Sequence, residues 1–125
     1  MYDVININEL MKNFDKYILI DLRSPIEYNE STIKGAINIP LFDNNERELI
    51  GTLYKQNKEE AYKKGLSIGS SRLPIIYEEI SKLKKKHSDK RIVLFCFRGG
   101  MRSKSVNEVM NLMKLKTLKL EGGYK

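Results

Sequence analysis

The chain has 125 residues, enough for one domain with a core of its own and too few for two ordinary ones. Apolar residues make up 41% and charged residues 31%, which excludes wholesale disorder, and no apolar run approaches the roughly 20 residues that span a bilayer. The single cysteine excludes an internal disulfide and a cysteine-rich metal site, while a net charge of +7 favours encounters with polyanions such as RNA.

Residues 4–7 alternate apolar and polar and predict an edge strand; Asn8 then caps a short helix in which Leu10, Met11 and Phe14 share a face. Residues 17–22 form an unbroken β-favouring run, the mark of a strand buried on both faces. Ser24, Pro25 and Glu27 follow in the order of a capping box with proline in the first helical turn. Asp21, Arg23 and Glu27 are therefore read as a charged pair and a cap that fix this turn, in preference to an acid–base cluster. Gly35-Ala36-Ile37-Asn38-Ile39-Pro40 is a brief strand stopped by proline.

From residue 43 to about residue 64 the spacing of Leu49, Leu53 and Tyr54 predicts a helix with a weak point at Gly51. Residues 65–71, rich in glycine and serine, predict a connection, and Pro74 opens a new helix with Ile75, Ile76, Ile80 and Leu83 on one face. The basic run 82–91, with Lys82, Lys84, Lys85, Lys86, Lys90 and Arg91, is a solvated helix end or else a nucleic-acid contact, and His87 within it is a surface residue. Val106, Val109, Met110 and Met113 mark a buried helical stripe, the methionines being packing residues and not metal ligands. Residues 117–121 close the pattern as a strand, with Gly122-Gly123-Tyr124 as a turn. Strands alternating with helices predict an α/β fold around a mainly parallel sheet. In such a sheet the turns holding Asp21, Cys96 and Gly122 gather at the carboxyl edge, where ligand sites form.

The stretch Ile92-Val93-Leu94-Phe95-Cys96-Phe97-Arg98-Gly99-Gly100-Met101-Arg102-Ser103 organises the rest. An apolar strand delivers Cys96 onto a glycine-rich turn flanked by Arg98 and Arg102, and a helix begins immediately afterwards. Gly99 and Gly100 allow backbone N–H groups to converge into an anion-binding nest, and the helix presents its positive end to the same point. Both features, with the guanidinium charges, favour thiolate over thiol. A cysteine at a strand end, five intervening residues, an arginine and a helix start fit two chemistries. In phosphate-ester hydrolysis Arg102 would grip two phosphate oxygens; in sulfur or selenium transfer the thiolate accepts a chalcogen. Loop length leaves both open, although Phe95 stands where many cysteine phosphatases have histidine.

Other residues carry a resemblance. Asp21-Leu22-Arg23-Ser24-Pro25-Ile26-Glu27-Tyr28, with residues 35–40, resembles the N-terminal signature of rhodanese domains. Within that superfamily the chain resembles the rhodanese-like N-terminal domain of the tRNA 2-selenouridine synthase family. The carrying segments are Asn45-Glu46-Arg47, Gly51-Thr52-Leu53-Tyr54-Lys55-Gln56, the loop 96–103 and Glu121-Gly122-Gly123-Tyr124-Lys125. Phe97 stands where relatives often carry tryptophan.

The resemblance implies a rhodanese-like five-stranded sheet flanked by helices on both faces, with Cys96 as the catalytic residue. Phe97, Arg98, Gly99, Gly100, Met101, Arg102 and Ser103 would form its anion-binding loop. It implies replacement of sulfur by selenium in wobble 2-thiouridine of tRNA, with selenophosphate as donor substrate, through an S-geranyl intermediate, and with no tightly bound cofactor or metal. A general thiosulfate or persulfide sulfurtransferase, a cysteine phosphatase and a non-catalytic tRNA- or partner-binding module are the alternatives. The family continues into a P-loop domain, whereas no Gly-x-x-x-x-Gly-Lys-Ser/Thr run occurs in residues 1–125. The expectation is a single domain, as an excised piece or as a split subunit completed by a separate geranyl diphosphate-binding P-loop protein. Without a secretory layout at Met1-Tyr2-Asp3, a cytoplasmic protein with no membrane partner is expected.

Overall fold

The two uninterrupted β-favouring runs form the centre of the sheet. Strand β2 (Tyr17–Asp21) pairs in parallel with β4 (Arg91–Phe95) along its whole length, from Tyr17 opposite Arg91 to Asp21 opposite Phe95. The computed structural model describes residues 4–97 and 100–124; Arg98 and Gly99, two residues of the expected loop, lie outside the described residues, as do residues 1–3 and 125. Strands β1 (Val4–Ile5), β3 (Ile37–Asn38) and β5 (Leu118–Leu120) complete a five-stranded sheet of order β1-β5-β4-β2-β3, and every pairing among the described strands is parallel.

A strand with helices above and below must be apolar on both faces, and the side-chain period of two divides its residues between two cores. Ile18, Ile20, Ile92 and Leu94 face one side. There they meet Ile76 and Ile80 of α4 (Lys58–Lys86) and Val106 and Met110 of α5 (Met101–Leu112). Leu19, Val93 and Phe95 face the other side, against Leu10 of α1 (Ile7–Lys12) and Tyr28 of α2 (Pro25–Glu30). Helix α3 (Asn44–Gln56) packs on α4. The α/β sheet with helices on both faces is thus as expected.

Three local expectations are corrected. Asn6, not Asn8, caps α1, its side chain accepting from the Glu9 N–H at 2.8 Å. Helix α3 runs through Gly51 without a break and ends at Asn57, whose side chain caps α4 by accepting from the N–H groups of Glu59 and Glu60. Most importantly, residues 65–71 are not a connection, and Pro74 opens no helix: both lie inside α4. Tertiary packing overrides the local signals. Buried Ala61, Gly69, Ile76 and Ile80 seat α4 on the core. Arg72 ties it down further, donating to the Leu41 carbonyl (3.2 Å) and the Glu46 carboxylate (2.9 Å). Pro74 removes the donor for the Ser70 carbonyl, but both residues lie on the exposed face, where water can serve that group.

Candidate functional site

Cys96 directly follows β4 at the carboxyl edge. Its carbonyl accepts from the Tyr124 N–H at 2.8 Å, and Phe97 forms a parallel bridge with Tyr124. The turn leading there uses left-handed backbone at Gly122 (φ +84°) and Gly123 (φ +63°), which glycine adopts without Cβ strain. The three distant turns thus meet, because Leu22 also bonds back to the Phe95 carbonyl (2.9 Å).

The Cys96 side chain is fully buried. Its Sγ accepts from the Ser103 N–H (3.3 Å) and lies 3.1 Å from Ser103 Oγ, to which the thiol donates. Ser103 is the third residue of α5, so this N–H is one of the first-turn donors that no helical carbonyl satisfies. A hydroxyl that accepts from the thiol can rotate to donate to a thiolate. Gly100, the N-cap of α5, closes over the sulfur: a Cβ there would stand 3.1 Å from Sγ and 2.9 Å from the Phe97 carbonyl oxygen. The glycine is required by close approach, since backbone sits on one side and the reactive atom on the other. Met101 is exposed, and Phe97 is half-exposed.

Arg102 does not point a free fork outward. Its Nη1 and Nη2 donate to the two carboxylate oxygens of Glu27 at 2.9 and 3.4 Å, and Arg47 Nε lies 3.5 Å from the same carboxylate. Glu27 Oε1 also accepts from the Ser24 N–H (2.9 Å) and hydroxyl (2.8 Å), so the helix cap holds as read, with an added duty. Burial alone would raise the Glu27 pKa, but the hydrogen bonds and charge of Arg102, with the Ser24 donors, outweigh it and bring the pKa down to about 2. Arg47 reaches Glu27 by lying over Gly51, where a Cβ would come 2.9 Å from its Nη1. Sequence reasoning gave Arg47 no role; the signal was a glycine four residues on, on the same helix face.

Asp21 and Arg23 form a separate, closed pair. Asp21 Oδ1 accepts from the Arg23 N–H and Nε (both 3.0 Å), and Oδ2 from Arg23 Nη2 and Thr32 Oγ1 (both 2.8 Å). Arg23 also donates to the Ser31 carbonyl (2.6 Å) and stacks on the Tyr124 ring at 4.4 Å, while Ser31 and Tyr124 share a short hydroxyl contact. Burial works against the Arg23 charge, and the hydrogen bond and charge of Asp21 more than offset it, raising its pKa.

Beside the loop lies a largely apolar cleft of about 610 Å³ between α3, α4 and the start of α5. Gly100 and Arg102 form its wall nearest the sulfur, Arg47 and Lys55 its charged rim, and Tyr54 and Tyr62 its aromatic sides. The basic run 82–91 lies elsewhere. It joins α4 to the start of β4, the opposite edge of the sheet from Cys96, and Lys84 there donates to the carbonyls of Ser88 (3.2 Å) and Lys90 (2.7 Å). No helix among the described residues is long and apolar enough to cross a membrane.

Residues 6–125 match the family described as Rhodanese-like domain. Curated relatives include the tRNA 2-selenouridine synthases of Nitrosomonas europaea, 34% identical over 117 residues, and of Cronobacter sakazakii, 35% identical over 115 residues. In both, 86% of this chain is covered but only 28% of the relative, so the chain spans less than a third of their length. Among solved structures, the N-terminal domain of a putative ATP/GTP binding protein from Clostridium difficile 630 is 43% identical with a TM-score of 0.89, covering 97% of this chain and 92% of that one. A human single-domain sulfurtransferase shares the fold at 20% identity and a TM-score of 0.57, over 98% of this chain and 91% of that one.

Proposed function

The chain belongs to the rhodanese-like domain family, and on that premise we propose that it is the chalcogen-handling part of an enzyme that replaces sulfur by selenium in wobble 2-thiouridine of tRNA. Cys96 acts as nucleophile or chalcogen carrier. Selenophosphate is the selenium donor, and an S-geranylated nucleoside is the intermediate. Arg98 and Arg102, with the loop N–H groups from residue 97 to Ser103, form the cradle for the tetrahedral anion. The observation that carries this reading is the Cys96 sulfur seated on the Ser103 N–H and hydroxyl at the start of α5, in a chain that matches tRNA 2-selenouridine synthases at 34–35% identity. The adjoining apolar cleft supports it, since a hydrocarbon-bearing nucleoside needs such a wall beside the reacting atom.

A P-loop protein, on the same or another chain, completes the reaction by binding geranyl diphosphate and part of the tRNA. The name of the Clostridium difficile relative, an ATP/GTP binding protein, supports that partnership. Supplying such a partner, thiolated tRNA, geranyl diphosphate and selenophosphate should yield selenouridine with the wild type and at least ~100-fold less with Cys96→Ala. Equal product from both would remove Cys96 from the chemistry. A general persulfide sulfurtransferase is the second reading, favoured by the fact that the sulfur site uses only residues of this domain. Rapid thiocyanate formation from thiosulfate and cyanide, indifferent to selenophosphate, would establish it instead.

A further inference from the structure

The fork of Arg102, which the proposed function assigns to the substrate anion, is already filled by a carboxylate from another part of the chain. Glu27 stands at the start of α2, distant in sequence, yet it takes both terminal nitrogens of Arg102 and approaches Nε of Arg47. Arg47 and Arg102 line the same cleft, whose wall at Gly100 is the residue that covers the sulfur. An anion that enters the cleft therefore meets two guanidinium groups, both already engaged by the one Glu27 carboxylate. That carboxylate presents two oxygens to a planar fork in the geometry that a tetrahedral anion would also use.

Glu27 is held where it is for independent reasons. Its Oε1 accepts from the Ser24 N–H and hydroxyl, so the carboxylate stays anchored to α2 when Arg102 leaves it. Arg102 sits on the first turn of α5 with its side chain about 15% exposed, and can exchange partners without unfolding either helix. The buried Asp21–Arg23 pair cannot act in this way, because its carboxylate oxygens and guanidinium are enclosed by Thr32, Ser31 and Tyr124.

We propose that Glu27 is a built-in competitor and positioning residue of the anion site. It keeps the Arg102 and Arg47 guanidinium groups paired while the site is empty, and it yields the Arg102 fork to an incoming tetrahedral oxyanion of the phosphate type. Its remaining negative charge then weakens retention of that anion, so the site binds its ligand loosely and releases it. The inference rests on the proposed function only in taking the loop of Cys96 as an anion site.

The probe is inorganic phosphate, with affinity read by calorimetry and by protection of Cys96 against iodoacetamide. In Glu27→Gln the amide oxygen keeps the Ser24 cap and loses the charge; in Glu27→Ala the side-chain half of the capping box goes too. Both variants should bind phosphate about tenfold more tightly than the wild type, the size of one nearby charge at partly screened distance. A gain common to both separates competition from helix capping, which would move only the melting temperature. Wild-type protection by phosphate with unchanged or weaker protection in Glu27→Gln overturns the competitor role alone. Absence of phosphate protection in all three proteins overturns the anion site and the competitor role together.

Discussion

Two arginine–carboxylate pairs draw their carboxylates, Asp21 and Glu27, from the same short stretch of chain, and they differ in almost everything but chemistry. Asp21 and Arg23 are 0% and 4% exposed, and their oxygens and nitrogens are enclosed by Thr32, Ser31 and the Tyr124 ring. Glu27 and Arg102 are less deeply buried, the Glu27 carboxylate has a second partner in Arg47, and both arginines line a cleft. The first pair is a rivet between the carboxyl end of β2 and the terminal turn. The second is a clasp across two helices that an anion can open. Burial and saturation separate the two, since a buried charge without its partner has no solvent to turn to.

The largest effect should come from breaking the rivet. Asp21→Ala strands the Arg23 charge among Ser31, Thr32 and Tyr124, and should cost about 3–5 kcal/mol of unfolding free energy in denaturant titrations. Against the roughly 5–15 kcal/mol available to a domain, that is a large share. The clasp should matter less. Glu27→Gln should cost about 2 kcal/mol at pH 7, discounted from the full pKa shift for partial exposure. The Glu27 pKa is depressed in the folded state from 4.5 to about 2. Its stabilisation is therefore complete above pH 4.5 and is lost as pH falls through about 2. The gap between wild type and Glu27→Gln should be flat near neutrality and narrow over that acid window, which melts at graded pH would check.

Finer changes sharpen the contrast. Arg47→Met removes a half-exposed third partner at 3.5 Å, and should shift stability by less than about 1 kcal/mol, with the difference shrinking further in high salt. Gly51→Ala should do least. The Cβ crowds only the flexible end of Arg47, while the helix gains up to about 1 kcal/mol of propensity. A melting temperature at or slightly above the wild type is expected, and a fall of several degrees would mean that the Arg47 guanidinium cannot move aside.

Much of the fold was legible because the determining signals are local. The runs at 17–22 and 92–95 are apolar on both faces, and only a strand between two layers can bury them. Ser24, Pro25 and Glu27 state their own cap. Helix α4 is not legible in the sequence for the opposite reason. Glycines and a proline are punctuation only while nothing distant contradicts them, and here Ile76, Ile80 and Arg72 hold the segment in place through contacts far away in sequence.

The site divides in the same way. That Cys96 directly follows a strand, that a glycine must come after it, and that a helix begins near Arg102 are consequences of order along the chain, because each concerns neighbours close in sequence. The sequence by itself therefore determined the family, the sheet and the position of the sulfur. Only the tertiary structure decided which carboxylate meets which arginine. Asp21 and Glu27 look alike as letters, and charge pairing has no sequence period. It was the meeting of α2 with α3 and α5, through the Ile26–Asn44 and Glu27–Arg102 hydrogen bonds, that left one pair enclosed and set the arginine of the other in the wall of the cleft.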